Sequence, residues 1–194
     1  MRSSFSIVAG IAGVLAVVSL AGAPAQAAEI GLEGIEVRAG LVNIESDAGS
    51  TIGFSGTADL GTLAENFGLE AGVDFWTKNW GEDIFGESWD YTWTNIGFLG
   101  TVRYEFPVEG DFMPFAFGGL GLHLWNWSLD YDGPYSEWAG DTDGSDLEFG
   151  FHIGAGAELP LSESMNFAAR GGFNSNGGAD YLFIQGGVKF LMGQ

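Results

Sequence analysis

Apolar residues recur at every second position over long stretches of this chain. Residues 66–76 read NFGLEAGVDFW: Phe67, Leu69, Ala71, Val73 and Phe75 alternate with Gly68, Glu70, Gly72 and Asp74. A period of two marks a β-strand, because successive side chains leave opposite faces of the backbone. The alternation returns in eight segments, near 35–44, 51–61, 67–78, 93–106, 112–127, 147–159, 164–174 and 181–192. The sixth is the cleanest, with Leu147, Phe149, Phe151, Ile153, Ala155, Ala157 and Leu159 set against Glu148, Gly150, His152, Gly154, Gly156 and Glu158. The fifth, MPFAFGGLGLHLWNW, changes parity: Phe115 and Phe117 share one face, Leu120, Leu122 and Leu124 the other. A β-bulge at Gly118-Gly119 reconciles them and turns His123 inward.

The connectors alternate in character. Long loops near 79–92 and 128–146 follow the third and fifth strands, while the even-to-odd connections GTLAEN, PVEGD and PLSES are short. Tight turns at one end and free loops at the other describe an up-and-down meander.

Charge decides which face points inward. The strand cores hold Glu36, Arg38, Asp59, Glu70, Asp74, Arg103, Glu105, Glu148, Glu158, Arg170 and Lys189, and every one falls on the polar face. The rest of that face is rich in glycine. Small residues punctuated by opposite charges suit a narrow barrel interior, where facing walls share little room. The apolar face then meets lipid. Only a closed sheet can do so, since an open edge leaves backbone groups unpaired in hydrocarbon. The predicted fold is all-β: an eight-stranded antiparallel up-and-down transmembrane β-barrel.

Composition sharpens this reading. Met1–Ala28 carries Arg2, an apolar run from Phe5 to Leu20 and then Ala25-Gln26-Ala27, the pattern of a secretory signal peptide cut after Ala27. The expected division is therefore a signal peptide over 1–27 and a barrel over 28–194. With no cysteine there is no lipoprotein acylation site, disulfide or thiolate metal site. Twenty-six acids against six bases oppose nucleic-acid binding, which needs Lys and Arg for phosphate.

The segments PFAFGGLGLHL, FGFHIGAGAELPLSESMNFAARGGF and DYLFIQGGVKFLM resemble the small eight-stranded outer-membrane β-barrels of Gram-negative bacteria, the OmpA-transmembrane-domain and OmpX-like group. The resemblance covers nearly all of 28–194. It implies export through the secretory pathway to the cell outer membrane, periplasmic termini and external long loops. It also implies a monomer whose partners are outer-membrane lipid and lipopolysaccharide. The closing strand is similar to the signal read by the barrel-assembly machinery, a polar residue followed by Gly and two apolar positions. Gln185, Gly187, Phe190 and Met192 match it, and the chain then adds Gly193 and Gln194 where the group commonly ends on an aromatic.

Four constellations bear on function. First, Arg38, Arg103, Arg170 and Lys189 are expected to pair with Glu36, Glu70, Asp74, Glu105, Glu148 and Glu158 across the lumen and plug it. A narrow ion path is the alternative, and the surplus of acids would make it favour cations. Second, all seven tryptophans lie between Trp76 and Trp138. Those at strand ends read as an interfacial aromatic girdle. Trp89 and Trp138, in acidic loops, are the surface-binding candidates. Third, DTDGSD places Asp141, Asp143 and Asp146 near a glycine turn, a weak calcium candidate lacking the ligand spacing of an EF-hand. Fourth, the two histidines, His123 and His152, sit within strands with no serine at a catalytic spacing, which argues against an enzyme. No cofactor is expected.

The resulting expectation is a small outer-membrane barrel with a structural or surface-recognition, adhesion-like role. The alternatives are a narrow porin-like channel or route for small hydrophobic molecules, and a soluble lipocalin-type barrel.

Overall fold

The computed structural model describes residues 29–45, 48–84, 87–132 and 142–192. Among them eight strands run in sequence: β1 (Glu29–Ile44), β2 (Gly49–Ala64), β3 (Phe67–Ile84), β4 (Glu87–Glu105), β5 (Met113–Asp132), β6 (Thr142–Ser162), β7 (Met165–Asn176) and β8 (Tyr181–Leu191). Each pairs antiparallel with its neighbours, and β8 returns to β1 to close the ring. The eight-stranded barrel foreseen from the alternation is the fold. The predicted signal peptide, residues 1–27, lies outside the described residues.

The faces divide as lipid exposure demands. Val37, Leu41, Phe54, Val73, Phe98, Leu122, Phe149, Phe151, Ile153, Leu182 and Ile184 are exposed on the outer wall. Glu36, Arg38, Glu70, Asp74, Arg103, Glu158, Arg170 and Lys189 are buried within the ring. An isolated soluble domain would have the reverse arrangement. Here the outward residues lose no water that lipid does not already exclude, and the buried charges must find partners inside.

The closure seam depends on close backbone approach. Arg38 stands opposite Gly187 in the β1–β8 register. A Cβ on Gly187 would collide with the Val37 carbonyl and the Arg38 backbone. The glycine of the closing-strand motif thus has a local reason: it lets the last strand reach the first.

Three sequence expectations are corrected. The bulge at Gly118-Gly119 is absent. β5 pairs with both neighbours in unbroken register, Val102 to Gly118 and Thr101 to Gly119 on one side, Ile153 and His152 on the other. Phe115 and Phe117 therefore lie inside the barrel, 1% and 6% exposed, on the same face as His123. The interior is not uniformly polar, so aromatic residues there do not require a change of parity.

The predicted loop near 79–92 is mostly strand. β3 and β4 stay paired up to Ile84 and Glu87, leaving only 85–86 between them. The predicted loop near 128–146 is likewise strand up to Asp132 and again from Thr142, and 133–141 lie outside the described residues. At this end β1 and β2 are joined across 45–48 and β7 and β8 across 177–180, so β3–β6 rise above the rest as a four-stranded wall.

Above the lipid the alternation inverts. Phe75, Ile96, Leu124 and Leu147 form one outward row across β3–β6. The next outward row is Thr77, Thr94, Asn126 and Ser145, with Thr77 and Thr94 hydroxyls 3.0 Å apart. Beyond it the outer face stays polar, while the inner face carries Trp80, Tyr91, Trp93 and Trp127. A barrel leaving hydrocarbon exchanges an apolar exterior for a wettable one, and this row marks the exchange.

The tryptophans accordingly do not form a lipid-facing girdle. Among the described residues all six, Trp76, Trp80, Trp89, Trp93, Trp125 and Trp127, occupy positions of inward parity. Trp138 lies outside the described residues. Trp76 and Trp125 are buried, and they pack with Val42, Ile44, Ala48 and Tyr181 into an apolar cluster that caps the lumen below the wall.

Candidate functional site

Two tiers fill the bore. The lower one, toward the short turns, is ionic. Arg170 from β7 donates through Nη1 to Glu70 Oε2 at 2.6 Å and through Nη2 to Glu70 Oε1 at 2.8 Å. Its Nη2 also donates to Glu36 Oε2 at 2.5 Å. Glu36 in turn meets Arg38 at 2.7 Å, and Arg38 donates to the Thr57 hydroxyl at 3.1 Å. Arg103 binds Glu158 and Glu105, the latter at 3.0 Å, and stands 3.6 Å from Glu70. Lys189 joins Asp59 at 2.6 Å and Glu158 at 3.4 Å. Asn166 donates to Glu158 at 2.8 Å.

Charged groups this deep persist only when paired and hydrogen-bonded, because desolvation is costly for each. Aromatic faces complete the shell. The Arg103 guanidinium lies 3.9 Å from the Phe115 ring centre, and Arg170 lies 5.0 Å from Phe115 and 5.6 Å from Phe117. A ring face attracts a cation, so these rings fill space beside guanidiniums whose Nη groups bind carboxylates and whose Nε groups have no hydrogen-bond partner among the described residues.

Of the ten expected network members, eight come together: Glu36, Arg38, Glu70, Arg103, Glu105, Glu158, Arg170 and Lys189. Asp74 and Glu148 do not join; neither forms an ion pair with a described basic side chain. Asp59 takes a place instead.

Asp74 belongs to the upper tier. It accepts from the Tyr181 hydroxyl at 2.7 Å and from Asn95 Nδ2 at 3.1 Å, both at Oδ2. The orientation of Asn95 leaves its Oδ1 to accept from His123 Nδ1 at 3.0 Å. His152 Nε2 pairs with the Thr101 hydroxyl at 2.9 Å. Both histidines are therefore held within lumenal hydrogen bonds. Between the tiers lies a cavity of about 40 Å³, bordered by Arg38, Thr57, Asp74, His152, Tyr181 and Gln185. That is room for a few waters rather than a passage. Asp74 Oδ1 and His152 Nδ1 are buried without a protein partner among the described residues, and bound water would satisfy both.

The remaining candidates fall elsewhere. Trp89 is half-buried on the inner face of the wall. Asp143 and Asp146 project from opposite faces of β6, being an odd number of residues apart, so they cannot converge on one cation. Asp141 lies outside the described residues. Gln185 is buried and accepts from Ser55 at 2.9 Å, while Phe190 and Met192 are exposed on the outside.

Sequence reasoning missed the aromatic tier. The signal was parity: Trp76 shares the face of Glu70 and Asp74, and Trp125 that of His123.

The family model described as outer membrane protein beta-barrel domain matches residues 13–190. The chain belongs to this family of outer-membrane barrels.

Solved structures are similar to this outer-membrane barrel in fold. Neisserial surface protein A shares 16% identity over 82% of this chain and 96% of its own, with a TM-score of 0.49. Ail, the attachment invasion locus protein of Yersinia pestis, shares 11% over 82% and 99%, with a TM-score of 0.47. The outer membrane enzyme PagL shares 17% over 81% and 99%, also at 0.47. Comparison with curated proteins by sequence finds no match.

Proposed function

We propose that this outer-membrane barrel is a closed stave whose role is structural and surface-recognising, without turnover. The observation that carries the reading is the filling of the lumen. Arg170 joins β7 to β3 across the bore, and the Trp76–Trp125–Tyr181 cluster caps the space above it. Among the described residues the cavity between the two tiers holds only a few waters' worth of volume. His123 and His152 are engaged with Asn95 and Thr101, and no serine hydroxyl bonds either ring among the described residues.

With the termini in the periplasm, β3–β6 project outward as a wall, aromatic within and polar without. That wall is the recognition surface. On this reading residues 1–27 are removed on export, the barrel-assembly machinery reads β8, and the mature monomer sits in outer-membrane lipid among lipopolysaccharide.

Planar-bilayer recording of the purified barrel tests the closed lumen: no stable unitary currents are expected. Stable currents favouring cations would establish the narrow-channel reading instead. Replacing 79–92 with a two-residue turn keeps the barrel and removes half the wall. Cells carrying the trimmed protein are expected to lose whatever surface attachment the parent confers.

A further inference from the structure

A chain of oxidisable rings runs in contact from the wall into the lumen. Tyr91 stacks on Trp80, with centroids 5.4 Å apart and planes 13° apart. Trp80 meets Trp93 edge-on at 4.9 Å, Trp93 meets Trp125 at 6.4 Å, and Trp125 meets Trp76 at 5.1 Å. Trp76 meets Tyr181 at 5.7 Å. The outer rings are half-buried, while Trp76 is 1% and Tyr181 3% exposed. Stacking in the first pair and edge-to-face packing in the other four give each good contact. No gap wide enough for another side chain interrupts the six rings.

The two ends differ in chemistry. A neutral phenol is oxidised readily only when its proton has somewhere to go, and an indole cation that keeps its proton passes its charge on. The buried indole N–H groups of Trp76 and Trp125 find no hydrogen-bond acceptor among the described residues. The Tyr181 hydroxyl has one: it donates to Asp74 Oδ2 at 2.7 Å. Asp74 accepts from Asn95 at the same oxygen, its other oxygen has no hydrogen-bond partner among the described residues, and the residue borders the cavity.

We infer that the rings from Tyr91 to Tyr181 form a relay that carries one-electron oxidation from the outer surface to a proton-coupled tyrosine in the lumen. A one-electron oxidant in the external medium removes an electron from Trp80, on which Tyr91 stacks, and leaves reduced. The electron vacancy moves through Trp93, Trp125 and Trp76. Tyr181 then supplies one electron to Trp76 and its hydroxyl proton to Asp74, leaving a neutral phenoxyl radical and a neutral carboxylic acid. Oxidising equivalents are thereby stored away from lipid rather than on a ring beside acyl chains. This activity needs only the barrel and its wall; it does not depend on the recognition role.

The test uses the folded barrel in detergent micelles with a soluble ruthenium(III) polypyridyl complex, generated by a light flash, as oxidant. Transient absorption and electron paramagnetic resonance read the radical. The parent is expected to give a tyrosyl radical that forms more slowly in deuterium oxide. Tyr181→Phe should lose that signal and show an indole radical in its place. Trp93→Phe, which keeps a half-buried ring and touches no lumenal hydrogen bond, should lose most of the tyrosyl yield with Tyr181 intact. The relay is overturned by an undiminished tyrosyl signal in Tyr181→Phe, or by a parental yield in Trp93→Phe. If Tyr181→Phe does not fold, the Trp93→Phe yield alone decides.

Discussion

Arg170 on β7 holds Glu70 on β3 through two parallel hydrogen bonds, and these strands stand on opposite walls of the ring. The pair is a strut as well as an ion pair. It ties the walls at the level where Glu36 and Arg38 join from β1, so three strands share one guanidinium and its acids. Planar bidentate geometry suits arginine and not lysine.

Removing the strut should be costly. Arg170→Met leaves Glu36 and Glu70 buried with no counter-charge from β7, which costs about 3–5 kcal/mol for a buried pair broken on one side. Urea unfolding in lipid vesicles, followed by heat-modifiable gel migration, measures the loss. Adding Glu70→Gln to Arg170→Met should recover much of it, because Glu36 keeps Arg38 and Arg103 keeps Glu158 and Glu105 as partners, so no orphaned charge then remains. A double variant as unstable as the single one would show that the acid is not the cause.

Phe115 illustrates a subtler interaction. Its ring receives the Arg103 guanidinium at 3.9 Å while Arg103 also binds Glu158 and Glu105. Phe115→Leu keeps an apolar side chain but removes the quadrupole, and should cost about 2 kcal/mol for a desolvated cation–π contact. Adding Arg103→Met should make the Phe115→Leu penalty smaller, a coupling that a double-mutant cycle of unfolding free energies reads directly.

The two faces of β6 should fail differently. Phe151, 49% exposed, faces outward, and Phe151→Arg should cost about 2–4 kcal/mol if it sits near the bilayer centre. Gly154 faces inward, where a Cβ would meet the Gly171 carbonyl and the Phe117 ring. Gly154→Ala should therefore destabilise by crowding despite adding only a methyl group. The Phe151→Arg penalty should shrink in detergent micelles, which deform around a charge, while the Gly154→Ala penalty should persist.

The sequence was most legible where lipid imposes one rule. A wall facing hydrocarbon must be apolar at every outward position, so Phe149, Phe151 and Ile153 declare their face, and Glu148, His152 and Glu158 theirs. Lumenal charges were readable for the same reason. Their partners were not, because pairing depends on which walls meet across the bore: Arg170 reaches Glu70 a hundred residues away, while Asp74 finds Tyr181 instead of a base. Phe115 and Phe117 defeated the reading because a ring inside the barrel has the same letter as one in lipid. The wall defeated it because, beyond the row Thr77–Thr94–Asn126–Ser145, polar and aromatic faces change places and the period of two no longer shows apolar-out.

That inversion makes tryptophan emission a test of the interior. In a girdle, indoles sit at headgroup level and are quenched by lipids brominated high on their acyl chains. Here Trp76 and Trp125 are sealed in the lumen, and Trp80, Trp93 and Trp127 line the inner face of a wall above the lipid. Most of the emission should survive in vesicles of brominated phosphatidylcholine, whatever the depth of the bromine. Acrylamide in the external medium should quench the wall tryptophans, of which Trp127 is 38% exposed, before those of the lumen. Introducing a tryptophan at Phe151 supplies the positive control: its added emission should vanish in brominated lipid. If the parent's own emission vanished with it, the indoles would be facing acyl chains, and the capped lumen would have to be abandoned.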